Sequence, residues 1–360
     1  MMRLLSLLIL VAFAAACGGT AEKPEPAAAP SGDLFVARLA AASGPATAYD
    51  GSTLSRRFQL PPGLRAADGS ALYALEANKL RRIDPATGVT MSEYRLEPGW
   101  RLQGVSSNGF WVALARGRTE ILVLDGRTGR RAHELALRGR FLVETISAEG
   151  DFLFLQETFV DGSYAVRGYD LAAGQLLPGS LATKGETVVM QGVAAGTVAS
   201  PDGRWLLTLY VDTKENIAFV HALNLVDRIP LCIEMPPCKG CTIAQLRRWA
   251  LALAPDGRTL YVTNPAVGRI GEIHLPTARL IYHARFKPGT GREETRAAVA
   301  PDGAHVVFTD GNAVWSYDTH RGWPQQIATG VERIADLGVS ADGKRLFLAR
   351  PNAAPVSVEL

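Results

Sequence analysis

The stretch Ala254–Asn264 reads APDGRTLYVTN and decides the fold. Its proline presets φ, its aspartate folds back on the backbone, and its glycine takes the positive φ that closes a tight turn. The apolar and β-branched residues that follow are typical of a strand. The stretch therefore predicts a hairpin whose second strand begins just after Gly257.

The same turn recurs along the chain at intervals of about 40 to 54 residues, and an apolar run follows each copy. Self-similarity at such a period is typical of repeat folds, in which each unit packs only on its neighbours. The seven copies are Ala66–Gly69, Ser106–Gly109, Ser147–Gly150, Ser200–Gly203, Ala254–Gly257, Ala300–Gly303 and Ser340–Gly343.

A second turn, which opens with Asp at the end of a strand, alternates with the first. Its copies begin at Asp50, Asp84, Asp125, Asp170 and Asp318. Each unit is then strand A, Asp-Gly turn, strand B, loop, strand C, second turn and strand D. Four antiparallel strands at this period form one blade of a β-propeller.

Strand counting favours seven four-stranded blades, with eight as the alternative. Seven A and seven D strands are expected, but eight B and eight C strands. The surplus arises because each chain end supplies one B and one C strand. These are Leu34–Arg38 and Ala48–Asp50 at the N-terminal end, and Leu346–Leu348 and Val356–Val358 at the C-terminal end. We expect strands from both chain ends to close the ring, because closure removes exposed sheet edges.

The segment Ala254–Asn264 closely resembles the YVTN-type repeat of exported bacterial and archaeal propellers, which are WD40-like in architecture. The likeness covers most of the chain from Asp33 to Leu360, although only this copy is near the consensus. The resemblance implies the fold and little about activity. Related propellers serve as binding surfaces, lactonases, lyases and electron-transfer subunits.

The N-terminal residues are typical of an export signal. Arg3, an apolar run over Leu4–Phe13 and three alanines indicate a signal peptide. Cys17 follows at the expected cleavage point and resembles the lipobox cysteine of bacterial lipoproteins, although Ala14 stands where that family usually has Leu. The alternative is an ordinary signal peptide with an incidental cysteine. We expect residues 1–17 to be the lipoprotein-type signal ending at the lipidated Cys17, 18–32 a flexible tether, and 33–360 the propeller domain.

Composition and motifs exclude several function classes. The formal net charge is +3 with both signs well mixed, so nothing favours a nucleic-acid partner. The chain has neither a Gly-x-Ser-x-Gly elbow nor a His-Glu-x-x-His motif. Its six histidines are scattered, and the recurring aspartates, Asp202, Asp256 and Asp302 among them, are expected to be turn residues.

Three cysteines lie close together at Cys232, Cys238 and Cys241. In an exported protein they predict one disulfide and one remaining thiol, in any of the three pairings. The alternatives are a metal site, with His221 as fourth ligand, and redox-active or free thiols. Attachment of a c-type haem requires a histidine directly after the second cysteine of a pair. Thr242 occupies that position after Cys241, so no attached haem is expected.

Function in repeat folds concentrates where the period is broken. The irregular segments here are residues 157–164, 181–196, 212–216 and 234–249, all in B–C or D–A connections, which emerge on the propeller face opposite the Asp-Gly turns. A further charged connection spans residues 287–296. The binding-face candidates are Lys184, Glu186, Asp212, Lys214, Arg247, Arg248, Trp249 and Arg292. Neutral drift of surface loops explains the insertions equally well. For Trp249 the favoured alternative is that it begins strand A and packs between blades while Arg247 and Arg248 face water.

These observations favour an exported, lipid-anchored binding or scaffold module over an enzyme. We expect a monomer that engages a protein, peptide or glycan and contacts the membrane through its anchor alone. No cofactor is predicted, although a divalent metal is the accompanying alternative. The second hypothesis is a lactonase-like hydrolase or lyase acting on a small molecule at the tunnel mouth. A third, an electron-transfer subunit, is weakened by the lack of a haem-attachment motif.

Overall fold

The computed structural model describes residues 33–39, 44–181, 189–291, 293–331 and 333–360. These residues form an all-β structure with one short α-helix, α1 (Ile243–Leu246), and two 3-10 helices, Pro265–Val267 and Leu275–Thr277. No helix within these ranges has the length and hydropathy needed to span a membrane.

The strands form eight antiparallel sheets, which we number as blades 1 to 8 along the chain. The strands of blades 1 to 4 are β1 (Leu34–Arg38), β2 (Ala46–Asp50) and β3 (Arg56–Leu60); β4 (Leu64–Arg65), β5 (Leu72–Glu76), β6 (Lys79–Ile83) and β7 (Thr90–Arg95); β8 (Arg101–Val105), β9 (Trp111–Arg116), β10 (Glu120–Asp125) and β11 (Arg131–Ala136); β12 (Phe141–Ile146), β13 (Phe152–Thr158), β14 (Tyr164–Asp170) and β15 (Gln175–Leu176).

The strands of blades 5 to 8 are β16 (Val193–Ala199), β17 (Trp205–Asp212), β18 (Ile217–Asn224) and β19 (Ile229–Glu234); β20 (Ala250–Leu253), β21 (Thr259–Asn264), β22 (Arg269–His274) and β23 (Arg279–Arg285); β24 (Arg296–Val299), β25 (His305–Thr309), β26 (Ala313–Asp318) and β27 (Trp323–Thr329); β28 (Asp336–Val339), β29 (Arg345–Arg350) and β30 (Ala353–Glu359). Within every sheet, strands adjacent in sequence are hydrogen-bonded neighbours.

The predicted turns shape each blade. In the turn of blade 6, the Gly257 amide donates to the Ala254 carbonyl oxygen over 2.9 Å, and Gly257 has a φ of +67°. The Asp256 carboxylate accepts a hydrogen bond from the Arg258 amide at 2.8 Å. Asp256 is thus a turn residue, as the sequence predicts, and its carboxylate is occupied by backbone.

The first strands adjoin one another from blade 2 to blade 4 and from blade 5 through blade 8 to blade 1, and those of blades 5 to 8 line a central channel with Arg38. Eight clusters of buried hydrophobic side chains each join two adjacent blades, and one of them joins blade 8 to blade 1. The apolar faces of the blades therefore stabilise the ring by packing against each other all the way round. The fold is a β-propeller, as predicted.

The blade count is eight, so the favoured count of seven is wrong and the alternative of eight is confirmed. Blades 1 and 8 have three described strands each. Blade 1 has no described A strand, and counting Asp-Gly turns therefore missed it. The chain ends do meet, but in separate sheets: β1 lies beside β28 without sharing a blade with it.

Side chains join blade 8 to blade 1. The Phe35 and Phe347 rings stack with centroids 5.4 Å apart, and both residues are almost fully buried. The Arg345 guanidinium donates to the Gly51 carbonyl oxygen at 2.8 Å and to the Asp33 carboxylate at 3.0 Å. Closure thus relies on packing and a bridging arginine, which replace the backbone hydrogen bonds of a mixed blade.

Strand direction gives the ring two distinct faces. The A–B and C–D turns lie at one end of every blade, and the B–C and D–A connections lie at the other, because consecutive strands are antiparallel. We call the first the turn face and the second the loop face.

Candidate functional site

The irregular segments lie on the loop face. Residues 157–164 contain the B–C loop of blade 4, and 212–216 contain that of blade 5. The segment 234–249 connects blade 5 to blade 6 and contains α1. The segment 181–196, of which residues 181 and 189–196 are described, lies between blades 4 and 5 in the chain. The loop face over blades 4 to 6 is the candidate site.

Two predicted binding residues lie in the B–C loop of blade 5. Asp212 is buried, and its carboxylate accepts hydrogen bonds from the amides of Lys214 and Glu215 at 2.8 and 3.1 Å. Asp212 therefore shapes the loop and offers little to a ligand. Lys214 is exposed, and its charge contributes to lowering the pKa of Asp161, after hydrogen bonds from Ser163.

Three more predicted residues end the connection to blade 6. Arg247 is exposed at the end of α1, and Arg248 donates to the Gly291 carbonyl oxygen at 3.0 Å. Trp249 is 4% exposed and packs with Trp205 and Val262 in the cluster between blades 5 and 6. Its ring therefore holds two blades together, which is the packing alternative that the sequence left open.

The cysteines occupy two environments. Cys238 and Cys241 form a disulfide just before α1, and Cys241 is buried against Val211 and Leu246. Cys232 is a free thiol in β19, where it pairs across the strands with His221, and burial raises its pKa. The disulfide braces the loop connection to blade 6, next to the B–C loop of blade 5.

Four predicted residues lie outside the described ranges: Cys17, Lys184, Glu186 and Arg292. Within those ranges, no group of three or more His, Cys, Asp or Glu residues is arranged to hold a metal ion.

An apolar patch that the sequence analysis missed lies at the loop-face ends of blades 4 and 5. Val160 is 94% exposed at the tip of the B–C loop of blade 4. Val189, Val193 and Ile217 are each about half exposed. Val193 pairs with Val211, one residue from the Asp212–Ile217 pair, and Met190 pairs with Tyr164. These pairings place the four residues at the loop-face ends of blades 4 and 5, with Val193 and Ile217 on opposite faces of the blade 5 sheet. Val160, Val189, Val193 and Ile217 are hereafter called the apolar patch.

Beneath the patch, the interface between blades 4 and 5 encloses a polar cluster. One oxygen of Glu144, the Tyr164 hydroxyl and both ring nitrogens of His221 are buried without a hydrogen-bond partner. The Tyr210 ring stacks on Tyr164 at 5.2 Å and meets the His221 ring edge-on at 6.0 Å. Burial raises the pKa of Glu144 to about 7 and lowers that of His221 to about 4. Both side chains are therefore held toward their neutral forms.

Comparisons with known proteins found similar chain paths among solved structures only. No family model and no curated protein matches the chain. Solved structures with a similar chain path include hydrazine synthase from Kuenenia stuttgartiensis (14% identity, TM-score 0.46, covering 82% of this chain and 94% of that one). Others are a chain of the mitotic checkpoint complex (13%, 0.49, 98% and 99%) and BamB from Moraxella catarrhalis (14%, 0.47, 91% and 96%). At these identities and TM-scores the likeness carries no argument about this chain, and the YVTN-type resemblance stays a prediction.

Proposed function

We propose that this chain is a binding or scaffold module of the cell envelope, exported and anchored by a lipid on Cys17, that engages a protein or peptide through the apolar patch. The observation that supports this proposal is that four exposed aliphatic side chains lie at the loop-face ends of two neighbouring blades, where the repeat is interrupted. Exposed apolar surface that is rimmed by polar residues marks interaction sites.

Aliphatic burial supplies the driving force. Covering a valine or isoleucine side chain on association contributes up to roughly 1.5–3 kcal/mol before the costs of association. Aliphatic groups have no atoms that bond to sugar hydroxyls. The patch therefore favours a protein or peptide over the glycan that the sequence also admitted.

Charged residues at the edge of the patch supply selectivity. Asp161 follows Val160, and Lys214 and Glu215 precede Ile217; all three are exposed. A polar rim around an apolar centre is the usual anatomy of a protein interface, and rim charges act chiefly on partner choice and association rate.

Site-specific photo-crosslinking in expressing cells tests the proposal. A photoreactive amino acid replaces Val160, or replaces Val226 as the matched control, because Val226 is 57% exposed on the turn face of the neighbouring blade. We expect a discrete protein adduct from position 160 that Ile217→Asp abolishes, and none from position 226. Equal labelling from the two positions, or no adduct from position 160, contradicts the proposal.

A further inference from the structure

A cavity of about 360 Å³ opens in the central channel on the loop face. Its wall is contributed by β16, β20, β24 and the start of β28, and Arg38 at the end of β1 completes it. Five blades thus enclose one space, within the size range of small-ligand sites. The apolar patch is not part of this lining.

Two polar side chains in the lining are buried and unsatisfied. Trp249 is 4% exposed, and its indole N–H has no hydrogen-bond partner among the described residues. Thr295 is 6% exposed, and its hydroxyl likewise has no partner in the described part of the chain. Leaving a buried donor unpaired costs roughly 1–3 kcal/mol, so each group favours a ligand that accepts a hydrogen bond.

Two guanidinium groups line the same cavity. Arg38 makes no side-chain hydrogen bond or ion pair with any described residue, whereas Arg296 binds Glu294 at 2.7 Å. A guanidinium has five N–H donors, so Arg296 keeps donors to spare. The indole and both guanidiniums can only donate, and the ligand must therefore supply the acceptors.

The carboxylates of the cavity are already engaged. Asp336 accepts hydrogen bonds from the backbone amides of Arg38 and Leu337 at 2.7 and 3.0 Å, and Glu294 holds Arg296. Farther along the channel, Arg65 has its pKa lowered, first by burial and then by the charge of Arg38. The lining thus carries two guanidiniums and two carboxylates, and because both carboxylates already accept hydrogen bonds within the protein, unused N–H donors remain in excess.

We propose that this cavity binds an oxyanion, a carboxylate or phosphate group, with Arg38 and Arg296 supplying the charge and Trp249 and Thr295 donating the remaining hydrogen bonds. A bound oxyanion accepts hydrogen bonds from the Trp249 indole and the Thr295 hydroxyl, and it pairs with the Arg38 guanidinium, which has no side-chain hydrogen bond to any described residue. Charge-assisted hydrogen bonds of this kind are about twice as strong as neutral ones.

Calorimetric titration of the purified protein at fixed ionic strength tests the site, with inorganic phosphate and citrate as probes. We expect saturable binding that weakens about tenfold or more in Arg38→Gln and in Arg296→Gln. Trp249→Phe keeps the ring and removes only the N–H donor, and it should weaken binding as well. Arg279→Gln is the matched control, because Arg279 is exposed on the outermost strand of blade 6.

The indole N–H resonance of Trp249, identified by its loss in Trp249→Phe, gives a second readout that does not depend on binding heat. It should shift on ligand addition in the wild type, and in Arg38→Gln the same shift should require about tenfold or more ligand. Trialanine with a free or an amidated C-terminus separates the sources: binding of the acid but not the amide indicates a peptide carboxylate, and binding of phosphate or citrate alone indicates a free small anion. The absence of binding by every probe, or binding that Arg279→Gln weakens as much as Arg38→Gln does, overturns the proposal.

Discussion

Replacing Glu144 by glutamine should stabilise the protein at alkaline pH. Glu144 lies in β12 at the interface between blades 4 and 5, and one of its carboxylate oxygens is buried without a partner. Burial alone raises its pKa from 4.5 to about 7. The amide of glutamine keeps the shape and never acquires the charge.

The direction and size of this stability change follow from the linkage between protonation and folding. A carboxyl group whose pKa is raised in the folded state contributes its full stability below the unfolded pKa of 4.5 and loses it as pH rises through about 7. Each pKa unit corresponds to 1.36 kcal/mol, so ionisation of Glu144 should cost roughly 3 kcal/mol above pH 8. The glutamine variant does not incur this loss.

Titratable groups near Glu144 also change the stability with pH, so the variant must be compared with the wild type at each pH. The pKa of His221 is lowered by burial to about 4, so this histidine contributes stability above its ordinary value of 6.5, and that stability is lost as pH falls toward 4. Burial raises the pKa values of Tyr164 and Tyr210, and both phenols stay neutral through pH 9. These contributions cancel when the variant is compared with the wild type at each pH.

Urea unfolding followed by circular dichroism between pH 5 and pH 9 measures the difference. The unfolding free energy of Glu144→Gln, relative to wild type, should rise by about 2.5 kcal/mol across this range. Glu149→Gln, an exposed turn residue in the same blade, should show no such rise. A relative stability that stays flat, or one that falls toward pH 9, would refute the reasoning.

Further predictions concern ring closure, thiols, the anchor and metal content. Phe347→Ala should lower the unfolding free energy by roughly 3–5 kcal/mol, because it leaves a cavity where the ring packs against blade 1. Trp323 is 65% exposed, so Trp323→Ala should change the unfolding free energy by about 0.5 kcal/mol or less. Urea unfolding measures both. Thiol titration of the unreduced domain should find Cys232 as its one free thiol, reacting faster at alkaline pH because burial raises its pKa; two further reactive thiols would contradict the disulfide. Mass spectrometry should find a lipid on Cys17 that Cys17→Ser removes; an unmodified Cys17 contradicts the anchor. Elemental analysis should find no stoichiometric divalent metal, and finding one would favour the hydrolase or lyase alternative.

The repeat predicted most of the fold because turn chemistry is local. Pro, Asp and Gly at fixed offsets define each hairpin, and Asp256 and Gly257 behave as those rules require. The closure was harder to predict because it depends on contacts across the whole chain. Phe35 and Phe347 resemble any other core residues in sequence, and only the structure brings them together.

The loop face was predictable from spacing, but its residues were not. Charged residues were chosen as candidates, and Asp212 proved to shape its loop while Trp249 packs between blades. The sequence around Val160 did indicate exposure, because an aliphatic residue precedes an Asp-Gly pair typical of a turn within an irregular segment. Glu144 carried a second signal, a lone charge within the otherwise apolar strand FLVETI. Neither signal reveals which side chains become neighbours.

The affinity of the partner identified by crosslinking, for wild type and for two matched variants, tests the binding role most directly. Val160→Asp places a charge in the apolar patch, and Val226→Asp places the same charge on the turn face. We predict at least tenfold weaker binding for Val160→Asp, about 1.4 kcal/mol, and unchanged binding for Val226→Asp. Equal affinities for the two variants, or a greater loss for Val226→Asp, would contradict the proposed function.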